Sequence, residues 1–452
     1  MRSWGLIAAI AAVSVAGAQQ KAPPPKAQDI AVPTRTTTPA SQKDASKLGG
    51  PLTAQQAVAI ALSNQPTLES VRQAVIAADG RTKQLRARLL PQLGVGSTYY
   101  TSRFAGNEPN RLQTNVPKGY GSSASLTQLI FDGSHSSDLV QQAKSLRLVA
   151  EMDLNRAKED LALQTLSGYF ITQEASHLVA VNERNVANRD SQLQLAQSRF
   201  NSGLGGADDV LTAQTAKGDA VISLIQARSN ADAAKISLLQ TMGLDPQTPI
   251  TLTDDTLEAV PVDAFDSFVS QSLSRRPEVL RAKASVDAAK FGARAAKTTS
   301  APTLSSTVSF STSDPGFPAG GAGYGLGLIL SVPLFDGNLQ AGVVQQANAA
   351  LKSAQSDLLT AQLQVRTDVS QAYIASRGAE QQDSAAQTNL ANAKESLRIA
   401  EGRYKAGIGL FLDIINAQAA LLAAETSAAT ASAEVFIQRA ALKRAGGLLT
   451  EK

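Results

Sequence analysis

Residue types that could carry out chemistry are scarce in this chain. Its 452 residues include two histidines, His135 and His177, and no cysteine. Disulfides and cysteine-based metal sites are therefore excluded, and a histidine-rich metal or catalytic site is not expected. The sequence contains no recognisable Ser/His/Asp set and no phosphate-binding glycine loop. We therefore predict no catalytic residue, no cofactor and no metal, and the sequence argues against an enzyme.

The charged residues with the clearest pattern lie at apparent breaks between helices. Arg199-Phe200-x-x-Gly203 recurs as Arg403-Tyr404-x-x-Gly407, and each motif is followed by acids, Asp208 and Asp209 or Asp413. Glycine and a cation suit the C-terminus of one helix, and acids suit the first turn of the next. The pattern predicts two helical hairpins with similar tips.

Composition limits the kind of fold that must position these tips. Aromatic residues make up 4% of the chain, and the formal net charge is +4. Abundant Ala, Leu, Gln and Ser suit long helices that pack closely through small side chains. No block of Lys and Arg interleaves with aromatic residues, so nucleic-acid binding is not expected.

An internal repeat defines the architecture. Phe131-Asp132-Gly133 recurs 204 positions later as Phe335-Asp336-Gly337, and the same offset carries Tyr169 onto Tyr373 without a gap. Upstream, Pro66 matches Pro277 at an offset of 211. The predicted units are therefore a first repeat over 51–250 and a second repeat over 251–452. The change in offset indicates surface loops of different length near 104–119 and 312–321.

Long helices follow from the absence of proline. None occurs between Pro117 and Pro246 or after Pro333, and a helix interior loses about 3 kcal/mol to a proline. We predict long hairpins over 134–243 and 338–446, with outgoing helices roughly 100 Å long. Shorter helices over 66–90 and 277–299 could stack end to end with the returning helices.

Alternating patterns predict four strands, at about 92–104, 120–131, 302–312 and 322–333. Strands of this length and period suit a transmembrane barrel, and the alternative is a soluble β-hairpin at the end of a helical bundle. Four strands cannot close a barrel, and lipid does not tolerate open edges. A barrel must therefore be shared between chains.

The N-terminus has the order of an export signal. Arg2 precedes an apolar run and the small residues Ala16-Gly17-Ala18, which predicts a signal peptide over 1–18. Residues 19–50 are rich in Pro and Thr and predict a flexible tether. We expect no later segment to approach the roughly 20 apolar residues of a transmembrane helix.

These features together resemble the TolC-like outer-membrane efflux protein family, also called outer membrane factors. The resemblance covers residues from about 51 to 447. It depends on the duplicated unit, the Phe-Asp-Gly motif after the second strand of each half, the two hairpin tips and the segment 413–418.

The resemblance implies a mainly α fold with transmembrane β-strands. Each chain of a homotrimer would give four strands to a shared twelve-stranded barrel in the outer membrane, and its helices to a long coiled-coil-like tunnel. It also implies docking onto a periplasmic adaptor and an inner-membrane transporter. The expected function is the exit duct of a tripartite efflux or type I secretion system, exporting small molecules or proteins. The rival interpretation is a periplasmic coiled-coil structural or adaptor protein.

The resemblance assigns roles to three groups of residues. Matching positions predict an adaptor-docking tip of Arg199, Gly203, Leu204, Arg403, Gly407 and Ile408. They predict a periplasmic gate of Asp208, Asp209, Asp413 and Asn416, although Gly409 falls near a position where some members carry a gate-locking Arg. The predicted aromatic belt in the barrel comprises Tyr99, Tyr100, Tyr120, Phe310 and Tyr324. Helix capping and ordinary core packing are the competing interpretations of these residues.

Overall fold

The computed structural model describes residues 50–101, 118–261, 265–314 and 321–449, all within the unit Asp44–Lys452. The predicted signal peptide and all but the last residue of the predicted tether lie outside the described residues. Most residues of the two predicted variable loops also lie outside the described residues.

The described chain is mainly helical, as the composition predicted, and has one four-stranded sheet, as the alternating patterns predicted. Its helices are α1 Ala54–Asn64, α2 Pro66–Ala87, α3 His135–Asn201, α4 Ala207–Thr241, α5 Phe265–Arg275, α6 Pro277–Lys297, α7 Leu339–Lys405 and α8 Phe411–Ala445. Its strands are β1 Gln92–Thr101, β2 Lys118–Phe131, β3 Thr303–Asp314 and β4 Ala322–Ser331.

The repeat seen in the sequence is reproduced helix by helix. A shift of 204 residues carries the bounds of α3 onto α7 and those of α4 onto α8, without adjustment at either end. Helices α3 and α7 have 67 residues each, which corresponds to about 100 Å. The absence of proline permits this length, and each helix packs along its own returning helix.

The recurring Phe-Asp-Gly motif starts each long helix. Gly133 and Ser134 have φ of 66° and 74°, and Gly337 and Asn338 have φ of 65° and 70°. Two successive left-handed residues turn the chain sharply from strand to helix, which favours Gly at the first of them. The aspartate before them then accepts a hydrogen bond from the first helical turn, at 2.8 Å from Ser136 N in the first copy.

Each returning helix continues into the short helix of its own repeat. The side chain of Gln65, at the start of α2, donates to the carbonyl of Thr241 at the end of α4, at 3.0 Å. In the second copy Arg276, at the start of α6, donates to the carbonyl of Ala445 at the end of α8, at 3.3 Å. These side chains satisfy carbonyls that a helix end leaves free. The composite helices α4–α2 and α8–α6 therefore run beside α3 and α7.

Sequence reasoning missed the short helices α1 and α5. A signal for α1 was present, because Thr53 and Gln56 form a reciprocal capping box at its start. Segment 250–256 crosses α3 close to α1. The buried Tyr169 hydroxyl lies 2.8 Å from the carbonyl oxygen of Leu52 and 2.7 Å from that of Thr253. Burial raises the pKa of Tyr169 to about 12.

Helix α8 corrects one expectation from the sequence. Within the described residues it contains an 18-residue window with a mean hydropathy of 1.2, which is apolar enough for a membrane-spanning helix. The expectation that no later segment approaches this composition was therefore wrong. Several of the apolar side chains of α8, among them Leu421, Ala424 and Ala428, are buried against the other helices.

The four strands form one antiparallel sheet in the order β1-β2-β3-β4, and its two faces differ. Directly paired residues share a face. On one face the pairing gives apolar rows across all strands: Leu93, Leu126, Val308 and Leu326, then Val95, Ala124, Phe310 and Tyr324. The other face carries rows of small residues: Gly94, Ser125, Ser309 and Gly325, then Gly96, Ser123, Ser311 and Gly323. Among the described residues, the outer edges of β1 and β4 have no paired strand.

Candidate functional site

The two hairpin tips have the same backbone geometry. Gly203 and Gly407 adopt φ of 72° and 77°. The following residue bonds back across the helix end in each tip, with Leu204 N to Arg199 O at 2.9 Å and Ile408 N to Arg403 O at 3.0 Å. This is the hydrogen-bond pattern of a Schellman motif, which requires a left-handed residue and therefore favours Gly. The predicted Gly203 and Gly407 thus end the outgoing helices.

A second glycine in the later tip is fixed by close approach rather than by φ. A Cβ at Gly409 would lie 2.9 Å from the Cβ of Arg403 and 3.1 Å from the backbone N of Tyr404. The turn therefore folds back onto its own helix and leaves no room for a side chain. This contact excludes any larger residue, arginine included, at position 409 of this turn.

We expect Gly409→Ala to lower the free energy of local opening of the second tip by about 1–3 kcal/mol, because the tip has no room for the added methyl group. Gly402→Ala is the matched control: a Cβ at that helical position meets nothing within 4 Å, and Ala favours a helix by about 0.5–1 kcal/mol. Amide hydrogen exchange over residues 403–408 reports such local opening. Exchange that is no faster in Gly409→Ala than in Gly402→Ala would contradict the packing argument.

A cluster of three side chains joins the two tips. The guanidinium of Arg199 lies 4.6 Å from the ring centroid of Tyr404 and donates to the Tyr404 carbonyl at 2.9 Å. The hydroxyl of Tyr404 donates to the Asp209 carboxylate at 3.2 Å. Tyr404 is buried and also packs against Phe411, with ring centroids 5.4 Å apart. The first hairpin is thereby held to the second.

Burial raises the pKa of Tyr404, and the nearby Asp209 carboxylate raises it further. The hydroxyl therefore remains protonated and can donate. The repeat has no second contact of this kind, because the residue equivalent to Tyr404 in the first copy is Phe200. The difference between Phe200 and Tyr404 was visible in the sequence, and it was the available signal for this cluster.

The predicted gate residues differ in exposure. Asp209 is partly buried under Tyr404, whereas Asp208, Asp413 and Asn416 are exposed. Asp413 accepts a hydrogen bond from Leu410 N at 3.2 Å, so it stabilises the start of α8. The helix-capping role proposed for acids at this position is therefore present.

The predicted docking residues fall into two groups. Leu204 and Ile408 project at the ends of the tips and are 72% and 79% exposed. Arg403 is also exposed. Arg199 instead turns inward onto Tyr404, and its Nε is buried without a hydrogen-bond partner among the described residues. Exposed apolar neighbours extend the surface at the tips, namely Phe200, Leu410 and Leu412.

The predicted aromatic belt residues lie on the sheet. Tyr99 and Tyr120 are paired across β1 and β2 with ring centroids 4.9 Å apart. Phe310 and Tyr324 are paired across β3 and β4 on the apolar face, and Tyr324 is 93% exposed. The side chain of Tyr100 lies outside the described residues. Within the described ranges, no group of three or more His, Cys, Asp or Glu residues is arranged to hold a metal ion.

Comparison with solved structures identifies the fold. The outer membrane protein VceC of Vibrio cholerae matches with a TM-score of 0.76 at 18% identity, covering 87% of this chain and 96% of that chain. A membrane protein from Pseudomonas aeruginosa matches with a TM-score of 0.77 at 22% identity, covering 87% and 93% of the two chains. The fold is that of outer-membrane channel proteins with long helical hairpins.

The sequence comparisons identify the family. A family model described as outer membrane efflux protein matches residues 57–244 and 268–448. The outer membrane efflux protein BepC of Brucella suis is 26% identical over 330 residues, which are 72% of this chain and 71% of BepC. TolC of Escherichia coli is 26% identical over 391 residues, 83% of this chain and 78% of TolC.

The chain belongs to the outer membrane efflux protein family. It is an outer-membrane exit duct for efflux or secretion, and the predicted family, function and location are confirmed.

Proposed function

We propose that three copies of the chain form one channel, with a shared twelve-stranded barrel in the outer membrane and a helical tunnel in the periplasm. The observation that carries this proposal is the two-faced sheet with two open edges. An apolar outer face suits lipid, and a face of Gly and Ser suits a water-filled lumen. Pairing β4 of one copy with β1 of the next would remove every open edge from the lipid.

The helices also support the assembly of neighbouring copies. Helix α3 packs between α4 and α8, and α7 packs on α8, so α4 and α7 lie at opposite ends of the helical layer. Both carry exposed apolar stripes at helical spacing. The stripe on α4 comprises Leu211, Ile222, Ile225 and Ile236, and that on α7 comprises Leu359, Leu363 and Ile374. A neighbouring copy would cover both stripes.

Reconstitution into a planar lipid bilayer tests the channel directly. The purified protein should insert and give discrete, long-lived conductance steps. Absence of conductance by protein that inserts into the bilayer would count against the shared barrel.

At the gate, we assign the Arg199–Tyr404–Asp209 cluster as the contact that holds the tips closed. The cluster joins different hairpins, so their ends cannot separate without breaking it. In a trimer, Asp208, Asp209 and Asp413 would each occur three times around the axis, where carboxylate rings favour cations. Such a ring would restrict the tunnel entrance by charge.

Replacing Tyr404 with Phe should open the channel more often, because it removes the hydroxyl bond to Asp209 and keeps the ring. A hydrogen bond to a charged group contributes about 1.5–3 kcal/mol, so the open-to-closed ratio should rise at least about tenfold. Single-channel recording measures this ratio. Asp209→Asn should raise the open-to-closed ratio similarly, and the double variant should raise it little further. Additive effects of the two variants would count against a shared contact.

The adaptor is the proposed partner at the tips, with an inner-membrane transporter beyond it. Leu204 and Ile408 are exposed on both tips, and each is held out by the glycine before it. An apolar knob of this kind fits a groove between the helices of a partner hairpin. Drugs, other small molecules and proteins all remain within the proposed range of cargo.

Ile408→Asp should abolish export while trimers stay in the membrane, because a charge at the docking surface opposes burial against a partner. The cell's resistance to an exported toxic compound and the trimer content of its outer membrane are measured together. Ser384→Asp, which is exposed on α7 and far from the tip, serves as a control and should leave export intact. Normal export by Ile408→Asp would remove this residue from the docking surface.

A further inference from the structure

The internal repeat defines an interface that a single chain leaves half empty. Helix α3 has a returning helix on each side, α4 from its own hairpin and α8 from the other. Helix α7, its counterpart 204 residues later, packs against α8 and has no second returning helix within the described chain. By this correspondence, the helix that α7 lacks would be a copy of α4. The side of α4 that faces away from α3 also has no returning helix packed on it within the described chain.

Burial differs at matched positions in the way a missing neighbour requires. Phe170 on α3 is 1% exposed and packs on Phe436 of α8, with ring centroids 5.0 Å apart. Its counterpart on α7, Ile374, is 70% exposed. On the returning helices, Gln418 of α8 is 1% exposed, whereas its counterpart Gln214 on α4 is exposed.

The α3–α8 seam contains a polar layer that fixes how the helices align. Gln418 donates to the Asn185 side chain at 3.4 Å, and Gln192 donates to Gln418 at 3.5 Å. All three side chains are buried. Buried amides of this kind specify register in coiled coils, because a slipped alignment leaves them without partners.

We infer that α4 of one copy packs on α7 of the next in the register in which α8 packs on α3 within a chain, so that Gln214 meets Asn389 of the neighbouring copy. Asn389 is the counterpart of Asn185, and Gln214 is the counterpart of Gln418. The polar layer is then continued between subunits by the same pair of residue types. This inference rests on the proposed trimer and adds the residues by which its subunits recognise each other.

A second pair of residues at the subunit interface follows when the same 204-residue correspondence is applied to another contact between α3 and α8. Thr430 of α8 donates to Glu174 of α3 at 2.7 Å, and the counterparts of these residues are Gln226 on α4 and Gly378 on α7. A Cβ at Gly378 meets nothing within 4 Å in the isolated chain. The α4 helix of a neighbour would therefore have room for the larger Gln226 side chain beside it.

Paired cysteines test the register, because the chain contains no cysteine of its own. Full-length Gln214→Cys/Asn389→Cys protein in its native membrane is treated with a short bismaleimide and run on a denaturing gel. Within one chain these positions are separated by α3 and α8, about 25 Å at ordinary helix spacings, so only neighbouring copies can be linked. We expect covalent dimers and trimers and no larger species.

Controls separate the register from the trimer itself. Gln214→Cys/Ser384→Cys places the second thiol on the opposite side of α7 and should leave monomers. Gln226→Cys/Gly378→Cys repeats the test at the second pair and covers the case in which the first variant does not fold. A protein that is trimeric by native mass but links only through Ser384 would overturn the register and leave the trimer standing. A native mass of one chain would overturn both.

Discussion

Replacing Arg276 with Met should lower the free energy of unfolding by about 3–5 kcal/mol, the usual cost of breaking a buried ion pair on one side. Arg276 is 1% exposed. Its guanidinium lies 2.8 Å from Glu278 and 3.2 Å from Asp368, and it caps the end of α8. Removal would leave these carboxylates and a carbonyl without their main partner, while Met keeps the volume.

The repeat supplies a matched control for this prediction. Gln65 occupies the equivalent position in the first copy and bonds only carbonyl oxygens of α4. Gln65→Met should therefore cost no more than about 1 kcal/mol. Denaturant midpoints of the helical circular dichroism signal give both values. Adding Glu278→Gln to Arg276→Met should recover part of the loss, and a further loss instead would contradict the ion-pair explanation.

The second large expected effect is a pH-dependent increase in the free energy of unfolding when Glu159 is replaced with Gln. Glu159 is 3% exposed on α3, and one of its carboxylate oxygens has no hydrogen-bond partner among the described residues. Burial, followed by repulsion from Glu278, raises its pKa from 4.5 to about 7. Folding therefore favours the protonated acid. The stability it contributes is complete below pH 4.5 and is lost as the pH rises through about 7.

A shift of this size corresponds to about 3 kcal/mol. Glutamine is neutral at every pH, so Glu159→Gln should be more stable than the natural protein at pH 8 by up to about 3 kcal/mol and nearly equal at pH 4. Denaturant midpoints across this range measure the difference.

Glu278→Gln is the control of opposite sign. Burial opposes ionisation of Glu278, but the hydrogen bonds and charge of Arg276 prevail and hold its pKa below the usual range. Its ionised form is favoured in the fold, so Glu278→Gln should be destabilised at pH 8 and less so in acid. If the gain in stability from Glu159→Gln did not change between pH 4 and pH 8, titration of Glu159 would be excluded as its cause.

The sequence predicted the fold well where a pattern was repeated. Phe131-Asp132-Gly133 and its copy locate the start of each long helix, and Gly203 and Gly407 locate the ends. Strand bounds were less accurate, since β4 ends at Ser331 whereas the predicted strand extended to residue 333. Helices α1 and α5 were missed because each has only 11 residues, too few for a clear period.

The candidate site was predictable in composition but not in contacts. The motifs located both tips, yet periodicity cannot reveal that Arg199 turns inward across the hairpins to Tyr404. The buried Arg276 was also beyond the sequence, because a charged residue before a proline is typical of an exposed helix start. Its partner Asp368 lies 92 residues away, and only the folded hairpin brings them together.

The measurement that tests the central claim most directly is the native mass of the protein extracted from the outer membrane in mild detergent, before and after heating. A shared barrel predicts about three times the chain mass of 47.1 kDa before heating and a single chain afterwards. A single-chain mass before heating would mean that β1 and β4 do not pair between copies, and the shared channel would have to be abandoned.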